Sequence, residues 1–275
     1  MKLLWKLATT AHGGKKILSL LMLCFLLPAT ASAQAEKITI AAAADLKFAM
    51  DEIVAEFKKD SPTHEIEVIY GSSGKFHTQI QQGAPYDLYF SADIAFPRKL
   101  AENGFAASDV IPYAFGRIVL WSGSLDATKM TMESLTDSAI IRIAIANPRH
   151  APYGKRAEEA LRSAKLWDKV EAKLVYGENI AHTAQFVQTG NAQVGIIALS
   201  LAVNPELANK GGYRLIPDNL HEPLEQGYII TKRAAGNGLA KRFADYMGSK
   251  FAFAVMTKYG FVLHDESTKT FQHAN

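Results

Sequence analysis

The 275-residue chain has a single cysteine, Cys24, and it lies in the first apolar stretch. One cysteine excludes an internal disulfide framework, a thiolate zinc site and a CxxC redox motif. Long hydrophobic runs are also lacking. The run Ile17 to Leu27 is too short for a comfortable bilayer span, and no later segment approaches the length of a membrane helix. The eight histidines form no i, i+3 or i, i+4 pair, so a zinc site would need carboxylates from scattered places. No Walker loop is present, and Gly236-Asn237-Gly238 lacks the third glycine of a dinucleotide fingerprint. Nothing is low-complexity or repeated at short period.

What is present begins with a leader. Lys15 and Lys16 precede the apolar run, and Pro28 to Ala33 ends in the small-x-small pattern accepted by signal peptidase. Residues 1–33 therefore read as a cleaved export signal, with an uncleaved anchor as the other reading. Leu23 before Cys24, and the apolar run continuing after it, argue against lipidation. Removing the leader takes away Lys2, Lys6, Lys15 and Lys16 and no acid, so the formal charge falls from +3 to −1. Nucleic-acid binding by a broad basic face loses its support with that change.

About 240 residues remain, enough for one large or two moderate domains. Strand-like runs such as Ile38 to Ala42, Ile66 to Tyr70, Ile141 to Ala146 and Val194 to Leu199 alternate with helical periodicities, of which Leu46, Met50, Ile53, Val54 and Phe57 form one face. The alternation predicts an α/β architecture with largely parallel sheets, whose ligands sit beyond the carboxyl ends of strands. A polar stretch over 123–138 suggests a crossing into a second lobe. The expected division is 34–116 with 231–265 for lobe 1, 117–230 for lobe 2, and a polar tail over 266–275. Two extended crossings leave a cleft that closes by hinge motion.

Four small-residue turns run into helices: Ala43-Ala44-Asp45, Gly71-Ser72-Ser73-Gly74, Pro152-Tyr153-Gly154 and Gly177-Glu178-Asn179-Ile180. Each alone reads as a plain cap or turn, and Asp45 sits where an N-cap carboxylate is expected. Together they suggest a small-oxyanion site, because helix N-termini carry unpaired N–H groups and partial positive charge. Two turns fall in each expected lobe. A secreted hydrolase using Ser73 is the reading from another class, although the Gly-x-Ser-x-Gly spacing is missing and no His or acid can be assigned to it.

The run Ile38 to Leu46, the turn 71–74, Gln82-Gly83-Ala84-Pro85-Tyr86-Asp87-Leu88 with Ser91-Ala92-Asp93, Asn147-Pro148 with Ala151 to Gly154, and Tyr259-Gly260-Phe261 resemble, in that order, the periplasmic molybdate-binding proteins. The resemblance covers most of the mature chain. It implies a type II periplasmic-binding-protein fold, two lobes each with a mostly parallel sheet flanked by helices, and a periplasmic location. It further implies a non-enzymatic, cofactor-free monomer that binds molybdate, and usually tungstate, and delivers it to an inner-membrane ABC transporter permease. Sulfate or phosphate in the same cleft is the alternative.

The family's ligand contacts fall on Asp45 with Ala44 beside it, on Ser73 with Ser72 beside it, and on the backbone donors of Tyr153 and Ile180. Molybdenum is held there within its oxyanion, with no direct metal-ion ligand. The tyrosine that some relatives use on a later strand is replaced by Ala198. The carboxylate of Asp45 opposes a dianion, so its side chain is expected to turn into the helix as a cap while its N–H faces the ligand.

Overall fold

The computed structural model describes residues 36–60 and 62–264. The export signal read over 1–33 and the tail read over 266–275 lie outside the described residues.

The first series is β1 (Lys37–Ala43), α1 (Lys47–Phe57), β2 (Glu65–Gly71), α2 (Ser73–Gln81), β3 (Leu88–Ser91), α3 (Ala95–Glu102) and β4 (Ile111–Gly116). Arg117 then leads into β5 (Ile118–Ser122) and β6 (Ile143–Ala146). The second series continues with α4 (Pro152–Ser163), α5 (Trp167–Val170), β7 (Leu174–Gly177), α6 (Ile180–Gln188), β8 (Val194–Ala198), α7 (Leu199–Ala202), α8 (Pro205–Ala208) and β9 (Gly212–Leu215). The chain ends with β10 (Leu224–Ile230), α9 (Gly238–Tyr246), α10 (Lys250–Lys258) and β11 (Val262–Leu263).

These strands make two sheets, ordered β11-β4-β10-β3-β1-β2 and β7-β6-β8-β5-β9. The blocks β2-β1-β3 and β7-β6-β8 are parallel, as expected for strands joined through helices. The strands next to the crossings depart from this. β10 enters antiparallel between β3 and β4, and β5 antiparallel between β8 and β9. Residues 224–230, expected in the second lobe, thus belong to the first sheet. Their alternating apolar residues read equally well on either side of the cleft, and only pairing with Phe90 and Gly116 decides which sheet they join. The outgoing β4 and the returning β10 lie side by side.

Each sheet has its own core. One gathers Ile38, Ile40, Met50, Ile53, Phe90 and Phe243, and the other Trp121, Ile143, Ile145, Leu161 and Ile196. Burial of each large aliphatic or phenyl group contributes about 1.5–3 kcal/mol, so either sheet holds its helices without help from the other. The face predicted for α1 is close to the one observed, with Met50, Ile53 and Phe57 buried and Val54 half-buried. β1 lies inside its sheet, and its C-terminal alanines are buried against the second core as well as their own. The segments that follow β1, β2, β6 and β7 meet where the two sheets approach each other, with residues 147–151 between β6 and its turn.

Candidate functional site

Ala44, Asp45, Ser72, Ser73, Tyr153 and Ile180 all line one small cavity, together with Ala92 and Asn179. The six residues come from both sheets. The room between them is about 10 Å³, close to that of a single water. A larger guest therefore enters only when the walls part.

On the first-sheet side, Ala44 and Asp45 sit in a single 3-10 turn, Ala44–Leu46, between β1 and α1. Asp45 is not the N-cap that its sequence position suggested. The cap is Ala43, and no side chain caps the turn. The Asp45 Oδ2 instead accepts from the Tyr153 hydroxyl of the second-sheet side at 2.9 Å and from Gln226 Nε2 on β10 of its own sheet at 2.8 Å. A carboxylate could cap only by turning back along its own helix, and the Tyr153 and Gln226 donors compete successfully for it. Ser72 is the N-cap of α2 by backbone conformation, yet its hydroxyl donates to the His150 carbonyl at 2.6 Å instead of capping. The Gly74 N–H reaches the same carbonyl at 2.9 Å. A Cβ on Gly74 would stand 2.7 Å from that oxygen, so glycine permits this approach. Ser73 Oγ accepts the Ala92 N–H at 3.0 Å, which leaves its hydroxyl proton to be donated elsewhere.

On the second-sheet side, Pro152 opens α4 with Tyr153 next to it. The Tyr153 N–H thus belongs to the first helical turn, whose donors have no intrahelical acceptor. Ile180 opens α6 behind Asn179, whose Oδ1 caps the His182 N–H at 2.9 Å and leaves the Ile180 N–H free of the cap. Ala198 is fully buried at the end of β8 and does not line the cavity. A tyrosine hydroxyl is nevertheless present at the Asp45 carboxyl, supplied by Tyr153 on α4.

The electrostatics centre on Asp45, which is 1% exposed. Burial pushes its carboxyl up to about 6, against the opposing hydrogen bonds from Gln226 and Tyr153 and from its own and the Leu46 N–H groups. Oδ1 itself is buried and no donor meets full hydrogen-bond geometry there. Tyr153 and Tyr113 are held far above the ordinary phenol range, by burial first and then by the Asp45 charge. No Lys, Arg or His lines the cavity among the described residues. His150 stands one bond behind Ser72, and burial lowers its pKa, with Glu178 opposing and Lys75 assisting. Lys75 itself pairs with Glu178 across the cleft. Both partners are about half exposed, so the pair is worth at most about 1 kcal/mol.

Several contributors escaped the sequence reading. Gln226 on β10 and Tyr113 on β4 complete the Asp45 cluster, and Ser200 Oγ donates to the Asp45 carbonyl at 2.8 Å. Gly116 is close-packed there, since a Cβ would collide with the Tyr153 hydroxyl and stand 2.6 Å from Gln226 Nε2. The serine that meets a histidine is Ser72, not Ser73. Its one proton goes to the His150 carbonyl, so Nδ1, 2.8 Å away, must donate to Oγ and cannot act as a base toward it.

A groove of about 790 Å³ beside β4, β10 and α9 is far roomier, but its charged lining, Asp109 and the Lys241–Asp245 ion pair, offers an anion no net positive charge.

The profile of the bacterial extracellular solute-binding proteins matches residues 38–262. The chain is 35% identical to the molybdate-binding protein ModA of Azotobacter vinelandii over 84% of its own length and 92% of that protein's. It is 34% identical to ModA of Rhodobacter capsulatus over 92% and 97% of the two chains. Among solved structures, the A. vinelandii periplasmic molybdate-binding protein superposes with a TM-score of 0.77 at 30% identity, covering 82% of this chain and 99% of that one. The sulfate-binding protein SubI of Mycobacterium tuberculosis, at 16% identity and a TM-score of 0.69 over 86% and 89% of the two chains, shares the fold. The relatives in this set are binding proteins rather than enzymes, and the chain belongs to the bacterial extracellular solute-binding protein family.

Proposed function

We propose that this protein binds molybdate, and tungstate with it, between two lobes in the periplasm and delivers it as a monomer to the permease of an inner-membrane ABC importer. The observation that carries the reading is the convergence of Asp45, Ser73, Tyr153 and Ile180, from four separate turns, on one cavity that no cationic side chain lines. The names of the A. vinelandii and R. capsulatus relatives support molybdate as the anion.

In this reading the first lobe comprises β1 to β4 with β10 to β11, and the second comprises β5 to β9. The adjacent crossings at Arg117 and Leu224 are the hinge. Ser73 donates its hydroxyl proton to the anion, and the N–H groups of Tyr153 and Ile180 donate from the other wall. Hydrogen bonds to a charged group contribute about 1.5–3 kcal/mol each. Three of them supply about 5–9 kcal/mol, a dissociation constant from submillimolar to submicromolar. Ser73, Tyr153 and Ile180 offer O–H and N–H donors, so the guest oxygens that face these three groups are ones without a proton of their own.

The test is calorimetric titration of the purified protein with molybdate, tungstate, sulfate and phosphate. Tight binding of the first two and weak binding of the others is the expected result. Binding of sulfate or phosphate without molybdate overturns the assignment.

A further inference from the structure

The wall of a site for a dianion contains a carboxyl group, and no cation lines the cavity to neutralise it. The hydrogen bonds around Asp45 define where its charge or its proton can be. Tyr113 donates to Gln226 Oε1 at 2.6 Å, closer than its other acceptor, the Ser91 carbonyl at 3.3 Å. That bond orients the Gln226 amide so that Nε2, with its two protons, faces Asp45 Oδ2 at 2.8 Å and the Tyr153 oxygen at 3.1 Å. Tyr153 in turn donates its proton to Oδ2. Oδ2 is therefore an acceptor in this network from both sides and has no room for a proton of its own. Oδ1 is buried and has no hydrogen-bond partner.

We propose that Asp45 takes up a proton from solvent when the oxyanion binds and donates it from Oδ1 to an anion oxygen. The inference rests on the oxyanion reading of the cavity. A neutral carboxyl at this position turns a repulsive contact into a charge-assisted hydrogen bond, while a carboxylate would face the dianion without a counter-ion in a dry site.

The side chains facing the carboxyl are Tyr153 from α4, Gln226 from β10 and, through Gln226, Tyr113 from β4, beside the N–H groups of Asp45 and Leu46. From α7, Ser200 reaches only the Asp45 carbonyl. The α6 end of the cavity presents Asn179 and Ile180, both uncharged. The α2 end presents Ser72 and Ser73, with His150 behind Ser72 and the Lys75 and Glu178 pair beyond it. In the anion-free protein burial outweighs the hydrogen bonds from Gln226 and Tyr153 and brings the carboxyl to about 6, so the added dianion acts on a group poised to protonate near neutrality.

Linkage then gives the sign. Where the free protein is ionised at Asp45 and the complex is protonated, each pH unit costs about tenfold in affinity. Below the free carboxyl's pKa the affinity is flat.

The test is calorimetry with micromolar molybdate between pH 5.5 and 8, on the wild-type protein and on Asp45→Asn. Asparagine reproduces the neutral acid, with Oδ1 accepting from Tyr153 and Gln226 and Nδ2 donating to the anion. The wild type should weaken about 100-fold across the range, while Asp45→Asn should stay flat and bind more tightly than wild type at pH 8. A second measurement needs no variant. Titrations at pH 7.5 in two buffers of different ionisation enthalpy should give an uptake close to one proton per anion. A pH-independent wild-type affinity with no proton uptake overturns this inference and leaves the molybdate assignment standing. Absence of molybdate binding by both proteins at every pH overturns the assignment and this inference together.

Discussion

The two walls of the cavity are built from different materials. The first-sheet wall offers side chains, namely the Asp45 carboxyl and the Ser73 hydroxyl, whereas the second offers the helix-start N–H groups of Tyr153 and Ile180. The difference lies in local structure. On the first wall the helix start at Ser72 and Gly74 is already engaged with the His150 carbonyl, so side chains are left to face the cavity. On the second wall Pro152 and the Asn179 cap set up helix starts whose first donors have no intrahelical acceptor. Direct contact with the anion should depend on side-chain chemistry at one wall and on backbone N–H groups at the other.

The sharpest way to break this contrast is the stability of Asp45→Asn across pH. The folded carboxyl sits at about 6 against an ordinary 3.8, so the folded protein holds the extra proton between those values. Its contribution is fully present below about pH 4 and is lost as pH rises through about 6, a difference on the order of 3 kcal/mol. Denaturant melts of the anion-free wild type should show that decline, and Asp45→Asn should lack it. Parallel profiles for the two proteins would place the Asp45 charge outside the folding balance.

Next in size are the donors. Ile180→Pro removes one N–H at the first helical position, where proline is tolerated and where extended Asn179 is compatible with it. Molybdate affinity should fall about 10- to 100-fold with the circular dichroism spectrum unchanged. Ser73→Ala should lose a similar factor on the other wall, and it should also destabilise the protein by about 1 kcal/mol because the Ala92 N–H loses its acceptor.

Smaller is Tyr153→Phe. It withdraws one of the two donors to Oδ2, so stability at pH 8 should drop by about 1–3 kcal/mol and the carboxyl should titrate still higher. The smallest expected effect is that of Ile180→Val, which keeps the N–H and should bind molybdate within about twofold of wild type. A large loss there would erase the distinction between the walls.

The same distinction explains what could be read from the chain. The four turns were legible because close packing at strand-to-helix junctions demands small residues, and Ala43, Ala44, Gly71, Gly74, Gly154 and Gly177 mark them locally. Parallel order then gathers such junctions at one edge. Gln226, Tyr113 and Ser200 were not legible, because each reaches Asp45 only through the pairing of β10 with β4 or the docking of α7. Tyr153 was chosen for its N–H, and its hydroxyl turned out to hold the carboxyl as well. Asp45 shows the limit most clearly. Residue type and position specify a cap, and only the donors opposite it, distant in the chain by more than a hundred residues, redirect its side chain.

The most direct test of the site is diffraction from crystals grown with molybdate, located by the anomalous scattering of the metal. The expected result is one strong peak between Ser73 Oγ and the N–H groups of Tyr153 and Ile180, with Asp45 Oδ1 in contact with an anion oxygen. A peak elsewhere, for example in the groove lined by Lys241 and Asp245, with none between the four turns, would contradict it.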